Sequence, residues 1–164
     1  MNVTAGDALP RLEVDVTARM VIMGASSSRD WQPLHHDHHW AVERAGTRDI
    51  FLNTPNQAGW IERYVTDWTG PSGRLGKLRF RMRRSICDGD RLAFDGVVRT
   101  VTTDRTGTRW VDVDVTLSVG AEAATRCIVR VAVPSGPEDN PWSRSGDRWT
   151  PDAPGPLEIP RDGS

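Results

Sequence analysis

The sequence predicts an α+β fold in which an antiparallel sheet packs on one long central helix, followed by an extended tail. Three patterns carry this. From Asn53 to Thr69 apolar residues recur at intervals of three and four, from Leu75 to Val133 the pattern has period two, and most of the eleven prolines lie beyond Val133. A period near 3.6 buries one face of a helix, and a period of two buries one face of a strand. At 164 residues the chain suffices for one domain with a sizeable core.

Leu12, Val14 and Val16 alternate with polar residues, so Leu12 to Met23 reads as a strand. Gly24 to Arg29 reads as a small-residue loop that delivers Asp30. Pro33 blocks a helix before it, which places the start of a short helix near His35 or His36 and its stop at Gly46.

Asn53-Thr54-Pro55 has the order of a helix start, a capping side chain and then Pro in the first turn. The helix is expected to run to about Thr69 and to end at Gly70-Pro71. Ala58, Ile61, Val65 and Trp68 form its buried face. Gly59 costs about 1 kcal/mol relative to Ala there, so it is expected to mark close packing against another backbone.

Leu78, Phe80 and Met82 then alternate with Arg79, Arg81 and Arg83. Leu92, Phe94 and Val98 follow the turn Asp88-Gly89-Asp90. Val111, Val113, Val115 and Leu117 alternate with Asp112 and Asp114, and Cys127 to Val133 makes the last strand. Asp104 to Thr108 and Gly120 to Ala124 are the intervening turns. Asp112 and Asp114 read as an exposed strand face.

Residues 1–133 are therefore expected to form the domain and residues 134–164 a Pro/Gly-rich tail without a core of its own. Trp142 and Trp149 stand out in it. The sequence leaves open whether they dock on the domain or a partner, or whether the tail is partly disordered.

Composition excludes several roles. With 21 basic and 22 acidic residues, bulk charge argues against nucleic acid as a partner. No run has the apolar length of a membrane span, and the N-terminus lacks a signal-peptide pattern. Cys87 and Cys127 are far apart and read as reduced thiols in a cytoplasmic protein.

The densest chemistry lies in Asp30-Trp31-Gln32-Pro33-Leu34-His35-His36-Asp37-His38-His39-Trp40-Ala41, which holds all four histidines. An imidazole titrates near neutrality, and beside a carboxylate that orients it or shares a water it suits general acid–base work. Taken singly, Asp30 suits an N-cap and His35 a solvated helix position equally well. The order Asp30-x-x-Pro33-Leu34-His35-x-Asp37, followed by Ala41, resembles the hydratase motif of the MaoC-like enoyl-CoA hydratases, which are hot-dog-fold enzymes. The resemblance implies that Asp30 and His35 are catalytic, that a 2-enoyl-CoA thioester is the substrate and that no cofactor is needed. It also names the fold: one strand, a long helix and four antiparallel strands is the order of a hot dog.

Two positions depart from the family pattern. Gln32 stands where Asn is usual, and Asn53-Thr54 stands where a His-Gly pair is usual at the start of the central helix. That Gly gives a backbone N–H to the thioester oxygen. Thr54 retains an N–H at the positive end of a helix, so Asn53, Thr54, Gln32 and His36 are the candidates for substrate and oxyanion contacts.

A denser resemblance covers Arg29 to Ser72. Gly46 to Asn53 and Arg63-Tyr64-Val65-Thr66-Asp67-Trp68-x-Gly70-Pro71-Ser72 are similar to the small catalytic subunits of actinobacterial steroid side-chain enoyl-CoA hydratases. This implies a steroid-bearing acyl group and a heteromer with a second MaoC-like chain. A homodimer is the alternative, since a lone hot dog leaves sheet edges open.

Arg79, Arg81, Arg83 and Arg84 can hold coenzyme A phosphates or form the polar face of an exposed strand. His35 or His36 with His39 has chelating spacing, but no distant Cys/His cluster completes a metal site, so no metal is expected. The leading reading is an enoyl-CoA hydratase, or a 3-hydroxyacyl-thioester dehydratase in reverse. The alternatives are a hot-dog thioesterase, a non-catalytic acyl-CoA-binding subunit and a biosynthetic dehydratase recruited from the family.

Overall fold

The computed structural model describes residues 2–159; the tail's last residues, including Pro160, lie outside them. Strand β1 spans Leu12–Asp15 and helix α1 Ala18–Ser27. A 3-10 turn at Pro33–His35 and helix α2, His38–Glu43, precede the long helix α3, Thr54–Thr69. Strands β2 (Arg74–Met82), β3 (Arg91–Thr103), β4 (Arg109–Val119) and β5 (Glu122–Val133) complete the sheet.

The five strands form one sheet in the order β1-β3-β4-β5-β2, antiparallel throughout. Val111, Val113, Val115 and Leu117 of β4 join Phe94, Val129 and Val131 in one core with Ile61, Tyr64 and Val65 of α3. The rings of Tyr64 and Phe94 lie 5.5 Å apart. A curled sheet around one long helix is the hot-dog arrangement.

Three expectations are corrected. The strand from Leu12 ends at Asp15, and residues from Ala18 are helical because the Thr17 hydroxyl caps the Met20 N–H and Val21 and Ala25 bury one helix face. Gly59 meets nothing: a Cβ there would have no neighbour within 4 Å, so no backbone packs on it. The close approach is instead at Gly24 on α1, where a Cβ would lie 1.9 Å from the Asn56 side-chain nitrogen. Asp112 is not exposed. It pairs with Arg130 across β4 and β5, its Oδ1 and Oδ2 each 2.7 Å from a guanidinium nitrogen.

That ion pair lies on the sheet face away from α3, and the tail covers it. Arg130 Nη1 donates to the carbonyls of Pro151 and Gly155 at 2.8 and 2.9 Å. Trp149 packs on Trp110 with ring centroids 4.9 Å apart, and the Arg74 guanidinium sits 3.6 Å from the Trp149 ring. Leu157 is buried, and the carbonyls of Leu157 and Glu158 accept from Arg79 and Arg99. Both tryptophans of the tail thus meet the domain itself, Trp142 through its indole N–H to the Gly73 carbonyl.

Candidate active site

A cleft of about 300 Å³ is lined by Asp30 from the loop after α1, the 3-10 turn, the Phe51-Leu52 segment, the start of α3, and the end of β2 with the residues just after it. Helix α1 closes at Arg29, which takes a left-handed φ of 55°, and the Asp30 N–H returns to the Ala25 carbonyl at 2.9 Å. This sharp closure turns the Asp30 side chain toward α3. Non-glycine residues seldom adopt that φ, and the strain lies one residue from the carboxylate.

His35 follows Pro33 in the 3-10 turn and is 5% exposed. Its Nδ1 lies 2.8 Å from the Phe51 carbonyl oxygen. The Phe51 segment is itself fixed, because Leu52 N–H donates to the Ile86 carbonyl and Phe51 bridges Cys87. A carbonyl only accepts, so Nδ1 carries the proton of the neutral ring and Nε2 presents a lone pair. Nε2 faces Asp30 Oδ2 at 3.4 Å.

The carboxylate is held from the other side. Asn53, 2% exposed, caps α3 by accepting from the Asn56 N–H at 3.0 Å. Its amide nitrogen donates to Asp30 Oδ2 at 3.0 Å and to Ser28 Oγ at 2.8 Å. The Asn53 amide holds the Asp30 carboxyl below the usual carboxylate range. Burial opposes this, and the Gln32 N–H and nearby His35 support it. An ionised carboxylate and an imidazole lone pair both accept, so one water can donate a hydrogen to each.

No family model matches the chain. It is 35% identical over 96 residues to the 3-oxo-4,17-pregnadiene-20-carboxyl-CoA hydratase beta subunit of Mycobacterium tuberculosis, covering 58% of this chain and 74% of that one. The chain belongs to the MaoC-like hydratase family. It also superposes on a crystal structure of the ChsH1-ChsH2 complex from Mycobacterium tuberculosis with TM-score 0.74 and 29% identity, over 81% of this chain and 99% of that one. The R-hydratase PhaJ1 of Pseudomonas aeruginosa shares the fold at TM-score 0.72 and 15% identity, over 82% and 84% of the two chains.

Of the family-motif residues, the structure brings Asp30, His35, Asn53 and Thr54 together in the cleft. Thr54 opens α3, with its hydroxyl 3.9 Å from the Met82 sulfur. Asn53 departs from the substrate-contact role: both amide hydrogens go to Ser28 and Asp30, leaving its side chain none for a ligand. Gln32 is exposed and acts through its backbone, the N–H donating to Asp30 and the carbonyl accepting from His35. His36 is exposed and does not line the cleft.

The arginine row divides. Arg83 lines the cleft, whereas Arg79 reaches the tail carbonyl of Leu157 at 2.7 Å and Arg81 is exposed outside the cleft. Arg84 also lines the cleft and pairs with Glu122. Asp37 caps α2, His38 pairs with Asp49 at 2.8 Å, and His39 lies 3.2 Å from Glu43. Among the described residues no group of three or more His, Cys, Asp or Glu can hold a metal ion. No helix among them is long and apolar enough to cross a membrane.

Sequence reasoning missed Ser28 and Gln57. Gln57 is 2% exposed and accepts from the Thr125 hydroxyl at 2.7 Å. Its signal was a polar residue on the otherwise apolar inner face of α3, one turn after Thr54. Ser28 had no signal beyond its place two residues before Asp30.

Proposed function

We propose that the chain adds water to a 2-enoyl-CoA thioester, with Asp30 and His35 as the catalytic pair. The observation that carries this is the facing arrangement of Asp30 Oδ2 and His35 Nε2 at 3.4 Å in an open cleft, with Nδ1 committed to Phe51. A water donating to both has its oxygen lone pair free for Cβ of the enoyl group. As the C–O bond forms, the pair takes the water's proton, electrons shift through the conjugated system to the thioester oxygen, and Cα is protonated. Reversing the steps is a dehydration. Negative charge on the thioester oxygen is met by the N-terminus of α3 at Thr54.

Leu34, Phe51, Leu52 and Met82 give the cleft an apolar wall for the acyl group, and Arg83 with Arg84 gives it a cationic side suited to coenzyme A phosphates. The 35% identical relative is named for a steroid-type carboxyl-CoA, which supports a bulky polycyclic acyl group here. The structural neighbour is a two-component complex, which supports pairing with a second MaoC-like chain over a homodimer.

The test follows the absorbance of the conjugated enoyl thioester, using short, long and steroid-bearing enoyl-CoAs. Wild type is expected to bleach it, with Asp30→Asn and His35→Ala slower by about 100- to 10,000-fold. Release of free thiol without loss of the enoyl group would instead make the protein a thioesterase. No turnover by folded wild type, alone or with a MaoC-like partner, would overturn the reading.

A further inference from the structure

We infer that Asn53 is a positioning residue for the acid–base pair, holding Asp30 in place through its side-chain amide, in addition to capping α3. The orientation of that amide is forced. Its oxygen must face the Asn56 N–H, which can only donate, so the NH₂ group must face the other way. There it meets two oxygens, Ser28 Oγ at 2.8 Å and Asp30 Oδ2 at 3.0 Å. Ser28 accepts because its own hydroxyl hydrogen is directed at the α1 carbonyls of Gly24 and Ala25. The last turn of α1, the first turn of α3 and the carboxylate are thus tied through one side chain that is 2% exposed.

A cap alone does not require this. Ser, Asp and Thr cap as well as or nearly as well as Asn, but none carries a donor that reaches past the helix start to a second group. The same Oδ2 atom receives the amide hydrogen and faces His35 Nε2. Losing that hydrogen bond frees the side-chain torsions of Asp30 and favours its protonated form. The other charged groups around Asp30 are His35 from the 3-10 turn, Arg83 and Arg84 across the cleft, and the exposed Arg29 beside it. None of the substitutions below alters them.

The kinetic part of this rests on the hydratase reading; the structural part does not. The decisive variant is Asn53→Ser, which keeps the cap and removes the amide. Its unfolding midpoint at neutral pH should fall only modestly, since the cap is kept while the two hydrogen bonds of the amide are lost. The Asp30 carboxyl, followed by carbon-13 NMR, should titrate at higher pH, and the acid limb of kcat/KM should move the same way. The expected kcat loss is about tenfold, with KM little changed, as removal of one hydrogen bond to a charged group implies. Asn53→Asp, isosteric and also a capping residue, sets a second carboxylate against Asp30 and should raise its titration further. If both variants fold and Asp30 titrates as in wild type, the proposal is overturned. A wild type without hydratase activity refutes the proposed reaction, while the carboxyl titration still decides the role of Asn53.

Discussion

His35 Nδ1 lies 2.8 Å from the carbonyl oxygen of Phe51, and that contact determines which ring nitrogen faces Asp30. The carbonyl belongs to a segment bridged to the buried Cys87. The neutral ring is therefore expected as the Nδ1–H tautomer. Nitrogen-15 chemical shifts of His35 check this, and an Nε2–H tautomer would leave no lone pair toward Asp30.

The two glycines that bracket the α1–α3 contact make opposite predictions. At Gly24 an added Cβ would collide with the Asn56 amide, which donates to the Met20 carbonyl at 3.1 Å. Gly24→Ala must rotate that amide away and break the bond, at a cost of about 1–3 kcal/mol. At Gly59 a Cβ meets nothing within 4 Å, and Ala replaces a poor helix former. Gly59→Ala should stabilise by about 0.5–1 kcal/mol. Urea unfolding of the two variants checks both signs together.

The helix and the four long strands were legible because each buries one face, so the alternation shows directly in the letters. Helix α1 was hidden by Val14, Val16, Val21, Ile22 and Met23, whose β-branched members and closeness to a true strand favour extension. Thr17 with Val21 and Ala25 was the weaker helical signal that the packed structure obeys. In the site, Asp30 and His35 were legible through the order of the motif. The role of Asn53 was not, since a capping amide looks the same whichever way its NH₂ points. Asp112 read as exposed because the alternation counted the sheet and α3 as the only layers. The tail adds a third, through backbone carbonyls that no side-chain pattern reveals.

Arg130 is the fastening of that third layer. Its Nε and Nη2 grip Asp112 and its Nη1 holds the carbonyls of Pro151 and Gly155. Arg130→Met strands a buried carboxylate and two tail carbonyls, and should cost about 3–5 kcal/mol. Arg130→Lys should rescue little, because an ammonium cannot reproduce the bidentate fork. Limited proteolysis should cut the variant within residues 134–159 under conditions that leave wild type intact.

Asp104 makes stability depend on pH in a definite direction. In the β3–β4 turn it accepts from the N–H groups of Thr106 and Thr108, the hydroxyls of Thr106 and Thr150, and the Trp110 indole. Burial alone would raise its carboxyl, but the Trp110 indole, the Thr106 and Thr150 hydroxyls and the Thr108 N–H together carry it well below the usual carboxylate range. The unfolded chain then takes up this proton at a higher pH than the folded one. The stabilisation is present in full above the unfolded-state pKa of about 3.9 and is lost as pH falls from there toward the depressed folded value. Asp104→Asn should therefore be less stable than wild type at neutral pH, with the gap narrowing as the medium is acidified below about pH 4. Urea titrations of both proteins across that span measure the gap directly, and a gap that stays constant would mean that the ionised carboxyl contributes nothing to the turn.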